Sequence, residues 1–384
     1  MLKVMSVVGT RPEAVKMAPV IKELERHPDA IAPVVCTTAQ HREMLDQVLS
    51  LFGIAVDYDL DLMRPDQSLP QLTARILTAL DDVIVREQPD WVLVQGDTTT
   101  VMVASLVAFY RRAKVGHVEA GLRTDDRSQP FPEEINRRIA DMLSDLYFAP
   151  TENNRERLLR EGVSPQAIVV TGNTVVDALL MMARRVSERP LDGRFGQIDG
   201  KRLILVTAHR RENFGTPLTH ICGALRTIAE RYRDDVHIVY PVHFNPNIYH
   251  PVHQMLGGIP NISLVEPVDY ATLVSLLSQA YLVLTDSGGL QEESPSLHKP
   301  VLVLREVTER SEVIALGAAR LVGANYDAIV RETVRLLEDP VAYHRMASVE
   351  NPYGDGRASQ RIVQAILTHS QGVLEARRLE SRAA

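Results

Sequence analysis

Three groups of residues in this chain combine chemical type with suggestive spacing. Asp97, Glu119 and Glu133 are carboxylates that each close a short apolar run or open a helical one: Asp97 in Gln95-Gly96-Asp97-Thr98-Thr99-Thr100, Glu119 ahead of Ala120-Gly121-Leu122-Arg123, Glu133 in Gln129-Pro130-Phe131-Pro132-Glu133-Glu134. Carboxylates gathered at one site raise one another's pKa and can carry protons in acid–base work. Helix capping and first-turn charge suit Asp97 and Glu134 and would be the favoured reading for either alone, but Glu119, between Val118 and Ala120, is harder to place on a surface. The second group would hold an anion. Asp286-Ser287-Gly288-Gly289 runs into a helix that carries Glu292 and Glu293. Two glycines let backbone N–H groups approach a phosphate closely, and the helix dipole favours its charge. A plain N-cap turn needs the same small residues. Arg11, Lys16 and Arg310 would clamp a diphosphate, although each alone reads as solvated charge. The third element is His209, which is followed by Arg210 and Arg211 and fits a phosphate contact or a proton-transfer group.

These residues need a scaffold that brings them together, and the hydrophobic pattern supplies one. Short β-branched runs at 4–8, 33–37, 91–94, 115–118 and 146–148 alternate with segments of helical period at 14–26, 42–52, 69–86 and 99–111. Strands apolar on both faces belong in a parallel sheet covered by helices. A second series begins after a Pro- and Gly-containing stretch at 187–201, which reads as a linker. Its strands are predicted at 202–207, 236–242, 262–265, 281–284, 301–304 and 320–322, with helices at 218–232, 270–279 and 327–337. The expected fold class is therefore α/β, two Rossmann-like doubly wound domains. The expected boundaries are 1–186 for the domain with the carboxylates and 201–355 for the anion-binding domain. A C-terminal helix and tail would fill 356–384. In such sheets ligands bind beyond the carboxyl ends of the strands, and the clusters above follow predicted strands, except that Glu133 stands in a loop and helix start.

Composition narrows the functional classes. With 384 residues, 45% hydrophobic and 24% charged, the chain is that of an ordinary globular protein, and a net charge of −7 offers no basic footprint for nucleic acid. Cys36 and Cys222 stand in no metal-ligand spacing, which argues against a zinc site or disulfide framework and fits a reducing cytoplasm. The first nine residues read as a strand and not as a signal peptide, and no apolar stretch is long enough to span a membrane. No G-x-G-x-x-G opens the first helix, no G-x-x-x-x-G-K-[ST] occurs, and no G-x-S-x-G is present. Nicotinamide chemistry, P-loop phosphotransfer and a serine elbow are accordingly not expected.

Taken in order, the clusters resemble the bacterial non-hydrolysing UDP-N-acetylglucosamine 2-epimerases. The resemblance is carried by Gly9-Thr10-Arg11-Pro12-Glu13, Thr38-Ala39-Gln40-His41-Arg42, Gly96-Asp97-Thr98-Thr99-Thr100, Gly116-His117-Val118-Glu119-Ala120-Gly121-Leu122-Arg123 and Pro132-Glu133-Glu134. It continues through Thr171-Gly172-Asn173-Thr174, His209-Arg210-Arg211-Glu212, Tyr240-Pro241-Val242-His243, the stretch 286–293 and Asn351-Pro352-Tyr353-Gly354-Asp355-Gly356. It implies the glycosyltransferase-B architecture, two domains facing a cleft, in a homodimer with no cofactor and no metal. The implied substrates are UDP-N-acetylglucosamine and UDP-N-acetylmannosamine, used for surface polysaccharide. By resemblance Ser287, Gly288 and Gly289 would hold the diphosphate and Glu293 the ribose, with Arg11, Lys16, His209 and Arg310 completing the anion site. Asp97, Glu119 and Glu133 match the acid–base carboxylates. Gln40, Glu133, Arg210 and His243 match a second, activating nucleotide-sugar site found in some members. Val268 and Leu273 stand where relatives often have Gln and Phe, Ser311 where proline is usual, and Glu43 and Asp66 where Gln and Arg can occur.

The implied chemistry explains that residue set. Carbon 2 of the sugar has no neighbouring carbonyl, so its proton does not exchange directly. Expelling UDP from C1 as the C2 proton leaves gives 2-acetamidoglucal, and UDP adds back as a proton arrives at the opposite face. Such a reaction needs proton-transfer groups at two faces and a cationic site that retains UDP. A hydrolysing epimerase, releasing N-acetylmannosamine, and a glycosyltransferase of the same architecture are the alternatives. A sugar-nucleotide sensor is the non-enzymatic one.

Overall fold

The computed structural model describes residues 1–38, 42–64, 66–186, 193–196, 198 and 200–375. The chain forms two compact units, Met1–Ala178 together with the chain from Tyr353 onward, and Leu179–Pro352.

In the first unit the strands are β1 (Leu2–Val8), β2 (Ile31–Thr37), β3 (Tyr58–Asp59), β4 (Trp91–Gln95), β5 (Lys114–Val118), β6 (Leu146–Ala149) and β7 (Ile168–Val170). They form one parallel sheet in the order β3-β2-β1-β4-β5-β6-β7. Its helices are α1 (Arg11–Leu24), α2 (Arg42–Phe52), α3 (Leu69–Glu87), α4 (Thr99–Tyr110), α5 (Glu133–Leu143), α6 (Glu152–Arg160) and α7 (Thr174–Val186), the last of which carries the chain out of the unit. Val4, Met5, Val7 and Val8 of β1 and Trp91 through Val94 of β4 are all buried. Both strands are therefore covered on two faces, as their continuous apolar sequences require.

The second unit has β8 (Arg202–Thr207), α8 (Thr216–Arg231), β9 (Val236–Pro241), α9 (Pro246–Leu256), β10 (Ile262–Val265), α10 (Tyr270–Gln279) and β11 (Ala280–Thr285). There follow α11 (Gly288–Glu293), β12 (Val301–Val303), α12 (Ser311–Ala315), β13 (Ala319–Leu321), α13 (Tyr326–Glu338) and α14 (Pro340–Ala347). Its parallel sheet has the order β10-β9-β8-β11-β12-β13. The doubly wound α/β class read from the sequence is what both units display. In each sheet the winding reverses once, between β1 and β4 and between β8 and β11, and such a reversal opens a crevice at the strands' carboxyl ends.

Several elements depart from the sequence reading for physical reasons. Edge strands β3 and β7 have two and three residues, too short to carry a period. Helix α5 turns Glu134, Asn136, Arg137 and Asp141 inward, so its buried face is polar and its apolar period fails. Helix α6 buries only Leu158. Part of the expected linker, 187–192, 197 and 199, lies outside the described residues. Its described remainder packs into the second unit: Phe195 is fully buried and its carbonyl accepts from Ser263 Oγ at 2.8 Å. The chain instead passes between units within α7 and again between Pro352 and Tyr353.

The C-terminal helix α15 (Ala358–His369) belongs to the first unit. Asp177 of α7 caps it, accepting from the N–H groups of Ala358 (3.1 Å) and Ser359 (2.8 Å) and from Ser359 Oγ (2.6 Å). At the other end Trp91 Nε1–H donates to Ser370 Oγ at 2.9 Å. Residues 376–384 of the expected tail lie outside the described residues.

Candidate functional site

The first unit gathers its polar groups at the carboxyl ends of β1, β4 and β5. After β1, Thr10 caps α1 and Glu13 closes a capping box: the N–H groups of Gly9 (2.5 Å) and Thr10 (3.2 Å) donate to Glu13 Oε2. The helix thus begins at Arg11, three residues before the helical period read from the sequence. A Cβ on Gly9 would lie 2.3 Å from Thr100 Oγ1 and 2.9 Å from Thr38 Oγ1, so only glycine lets the turn lie this close to α4. Burial pushes the Glu13 carboxyl up to about 7, against the lowering effect of the backbone donors.

Glu119 follows β5 with a φ of +69°, a conformation that costs a non-glycine residue energy and persists where the surroundings impose it. Its carboxylate is 9% exposed and fully engaged. Lys16 Nζ lies 2.7 Å from Oε1 and 2.6 Å from Oε2, Asn173 Nδ2 donates to Oε1 at 2.9 Å, and Gln95 Nε2 donates to Oε2. Lys16, expected among the anion-binding cations, is thus paired with a carboxylate of its own unit. Arg11 opens α1, half-buried.

Asp97 follows β4. Its side chain pairs with Arg137 of α5, and its carbonyl accepts from Asn136 Nδ2 at 3.0 Å. Glu133 is the first residue of α5 and half-buried. Its neighbour Glu134 is fully buried, accepting from the Thr124 N–H at 3.1 Å and from Arg138 Nε at 2.9 Å. Glu134 therefore ties the loop before α5 down and fixes where Glu133 stands.

Beneath these groups lies a buried ionic cluster that sequence reasoning passed over. His117 Nδ1 is 2.6 Å from Asp141 Oδ1, and Nε2 is 2.7 Å from the Gly96 carbonyl. Desolvation opposes a charged ring, but the Asp141 charge and the acceptors on both nitrogens outweigh it and raise the His117 pKa. Arg123 reaches the other Asp141 oxygen at 2.7 Å. His117 thereby pins the Gly96-Asp97 turn to the end of β5. The available signal was a histidine in the middle of an apolar strand. Asn173, Gln95 and Arg137 were also missed as site residues, because nothing local marks a pairing across many residues.

The second unit builds a different kind of site at the ends of β8 and β11. Asp286 is fully buried, and its Oδ2 accepts from the N–H groups of His209 and Arg210, both at 2.8 Å, and from Asn213 Nδ2 at 2.9 Å. His209 Nδ1 lies 3.4 Å from Asp286 Oδ1, its ring stacks on His243 at 6.0 Å between centroids, and its side chain is 44% exposed. His243 Nδ1 accepts from the Asn245 N–H at 3.0 Å.

Ser287 follows, its N–H donating to Thr285 Oγ1 at 2.9 Å. A Cβ on Gly288 would lie 3.0 Å from Arg310 Cζ, so the guanidinium rests directly on the glycine. Arg310 Nε donates to Glu292 Oε1 at 2.8 Å. At Gly289 a Cβ would meet Glu293 Oε2 and Ser287 Oγ at 3.8 Å. Buried Glu293 accepts from the Tyr270 hydroxyl at 3.1 Å. Arg305 bridges the two loops, contacting Glu212 at 2.6 Å and Glu309 at 2.9 Å. Against burial, Arg305 and Arg310 hold the Glu309 carboxyl at about 2.

The structure therefore brings Ser287, Gly288, Gly289, Glu293, Arg310, His209, Arg210 and His243 to one end of the second sheet, and Arg11, Lys16, Asp97, Glu119 and Glu133 to one end of the first. Gln40, expected at an activator site, lies outside the described residues. Chemically, one unit presents carboxylates whose positions are fixed by cations and amides. The other presents a glycine turn, a guanidinium and an imidazole suited to an anion.

Comparison with known proteins agrees across nearly the whole chain. Residues 22–367 match the sequence model of a family described as UDP-N-acetylglucosamine 2-epimerase. The chain is 54% identical over 374 residues to the UDP-N-acetylglucosamine 2-epimerase of Yersinia pestis, covering 96% of this chain and 99% of that one. It is 52% identical to the Salmonella typhimurium enzyme of the same name, with coverages of 96% and 99%. Among solved structures, the Neisseria meningitidis UDP-GlcNAc 2-epimerase bound to UDP-GlcNAc is 48% identical with a TM-score of 0.85, covering 96% of this chain and all (100%) of that one. The Methanocaldococcus jannaschii UDP-GlcNAc 2-epimerase in complex with UDP-GlcNAc and UDP is 33% identical with a TM-score of 0.76, at coverages of 96% and 100%. Sequence, fold and the placement of the polar clusters agree: this chain belongs to the UDP-N-acetylglucosamine 2-epimerase family and is an isomerase.

Proposed function

We propose that the protein interconverts UDP-N-acetylglucosamine and UDP-N-acetylmannosamine without hydrolysis, by eliminating UDP to 2-acetamidoglucal and adding it back. The observation that carries this reading is the division of labour between the two strand-end sites, proton-transfer groups in one and an anion site in the other. In the forward direction a carboxylate of the first unit takes the C2 proton. The C1–O bond breaks, and its electron pair leaves on the β-phosphate of UDP. Arg310, the Ser287-Gly288-Gly289 turn and His209 stabilise that developing charge, and Glu293 meets the ribose hydroxyls. On return, the phosphate oxygen attacks C1 and a second acid delivers a proton to the other face of C2. No water is consumed, and no redox change occurs overall. Asp97, Glu119 and Glu133 share the proton transfers, which in such roles contribute about 10²–10⁴-fold each.

The same reading includes a cytoplasmic homodimer that supplies an activated sugar for surface polysaccharide, with Arg210 and His243 at an activating nucleotide-sugar site. An apolar groove of about 710 Å³, lined by Leu69, Pro70, Leu77, Met102 and Pro132, supports the dimer. So does the apolar helix α4, which leaves Phe109 and Tyr110 exposed. Among the described residues no helix is long and apolar enough to cross a membrane.

Proton NMR of the protein with UDP-N-acetylglucosamine in deuterium oxide tests the chemistry. UDP-N-acetylmannosamine carrying deuterium at C2 is the expected product. Free N-acetylmannosamine and UDP would instead mark a hydrolysing enzyme, and an unchanged spectrum from folded, UDP-binding protein a transferase or sensor. Light scattering at rising concentration tests the dimer, with a mass of one chain at every concentration counting against it.

A further inference from the structure

The motif Thr171-Gly172-Asn173-Thr174 supplies neither a proton-transfer group nor an anion contact, yet it touches the central carboxylate. Asn173 is 3% exposed and sits just before α7. Every polar group it carries has a specific job. Its side-chain oxygen accepts from the Val175 N–H at 3.1 Å, which caps the helix, while its side-chain nitrogen donates to Glu119 Oε1 at 2.9 Å. Its backbone N–H donates to the Tyr353 carbonyl at 2.6 Å, and its backbone carbonyl accepts from Val176 at 3.1 Å. The amide is thus held at both ends and cannot rotate without breaking the cap.

Tyr353 is where the chain re-enters the first unit. The contact is close: a Cβ on Gly172 would lie 3.1 Å from the Tyr353 carbonyl and 3.2 Å from Gly354 Cα, and Gly172 has a φ of +87°. A few residues on, Asp177 caps α15 through Ala358 and Ser359. The chain's exit along α7 and its return at Tyr353 are therefore fastened together at the residue that grips Glu119.

We propose that Asn173 is a positioning residue for Glu119, and that the returning C-terminal segment from Tyr353 acts in the proton transfer by holding Asn173 in place. This deepens the proposed epimerase reading and rests on it. Groups that face the Glu119 carboxylate include Lys16 from α1, Gln95 from the end of β4 and Asn173 from the turn before α7. Lys16 supplies charge and Gln95 comes from the neighbouring strand, while Asn173 connects the carboxylate to the C-terminal segment through the Tyr353 carbonyl. A misplacement of about 1 Å at a reacting group can cost about a hundredfold in rate, so a side chain with a strained backbone and one anchor fewer turns over more slowly even when the fold is intact.

Two variants separate this role from a structural one, because Ser and Asp cap helices about as well as Asn. Asn173→Ser keeps the cap but is too short to reach Glu119. Asn173→Asp keeps the cap and replaces the amide donor with a like charge facing Glu119. Rates of UDP-N-acetylmannosamine formation, their pH profiles and thermal melting are measured for both and for the wild type. With melting temperatures within about 5 °C of wild type, Asn173→Ser is expected to lose about 10–100-fold in kcat with KM within about twofold. Asn173→Asp is expected to lose more, and the ascending limb of its pH profile to move to higher pH, because a like charge disfavours the ionised carboxylate. Wild-type kcat and an unmoved profile in both variants would overturn the proposal. A wild-type protein that leaves UDP-N-acetylglucosamine unchanged would overturn the function reading itself, and this proposal with it.

Discussion

The two strand-end sites share ion pairing but differ in what else holds their polar groups. In the first unit, side chains far apart in sequence neutralise one another: Lys16 with Glu119, Arg137 with Asp97, and Asp141 with both His117 and Arg123. In the second, charge pairs are present too, Arg310 with Glu292 and Arg305 with Glu212 and Glu309, but a buried carboxylate organises the backbone: Asp286 collects the His209 and Arg210 N–H groups, and the glycine turn follows it directly. A group that must move a proton needs its charge and orientation held by partners that constrain it. A site for a leaving diphosphate needs donors aimed at space and only lightly committed. The first design is sensitive to any change of charge, the second to any change of shape.

The strongest challenge to this contrast is Glu119→Gln. The variant keeps the shape but turns an amide nitrogen toward Lys16, Gln95 or Asn173, all of which are donors. Turnover is expected to fall by about 10³-fold or more while UDP still binds, as calorimetry would read. Near-normal epimerisation would remove Glu119 from the proton relay and leave the first unit's charge pairs as scaffold.

Next comes the pH dependence of folding. Glu13 rises from 4.5 to about 7 in the folded state, so between those values the native protein holds a proton that the unfolded chain releases. Stability should therefore be greatest below about 4.5 from this group and decline by up to about 3 kcal/mol as pH rises through 7. His117, also raised, contributes a slope of the same sign. Glu13→Gln keeps the capping box and should flatten this slope in denaturant titrations. An unchanged slope would show that Glu13 is ionised throughout.

A somewhat smaller effect is expected from Asp177→Ala, which uncaps α15. Loss of the cap should lower stability by about 2 kcal/mol, and it should depress kcat as well if the C-terminal segment steadies Asn173. Loss of stability with kcat intact would confine α15 to a structural role. The smallest change is expected in the second unit. Gly288→Ala places a methyl against Arg310, so the guanidinium must shift. UDP affinity should fall about tenfold, with little change in melting temperature. If the alanine variant instead unfolds, the glycine turn supports the core, and shape matters there for stability before recognition.

Much of this was legible beforehand because it is local. The continuous apolar runs predicted the central strands. The helical period at 14–26 located α1, which begins at Arg11, and Gly288-Gly289 reads as a turn for close approach of an anion, where Arg310 rests on Gly288. The carboxylates could be picked out because Asp97 and Glu119 follow strands and Glu133 opens a helix. By contrast, only the start of α5 at Glu133 was legible and not its extent, because its inward face carries Glu134, Asn136, Arg137 and Asp141, where pattern reading expects apolar residues. His117 escaped because a buried imidazole between Asp141 and the Gly96 carbonyl is visible only when both partners are in place.

The sequence by itself determined the two doubly wound sheets, the strand ends at which polar clusters accumulate and, through the order of its motifs, the family. These follow from periodicity, caps and turn residues, which act within a few positions of the chain. The tertiary structure decided which charges meet. Lys16 reaches Glu119 and not open solvent, Asn173 ties that carboxylate to Tyr353, and the C-terminal helix returns to the first unit under the cap of Asp177. Those pairings join residues far apart in the chain. No local propensity specifies them, because whether a buried charge is stable depends on the partner that the completed fold places beside it.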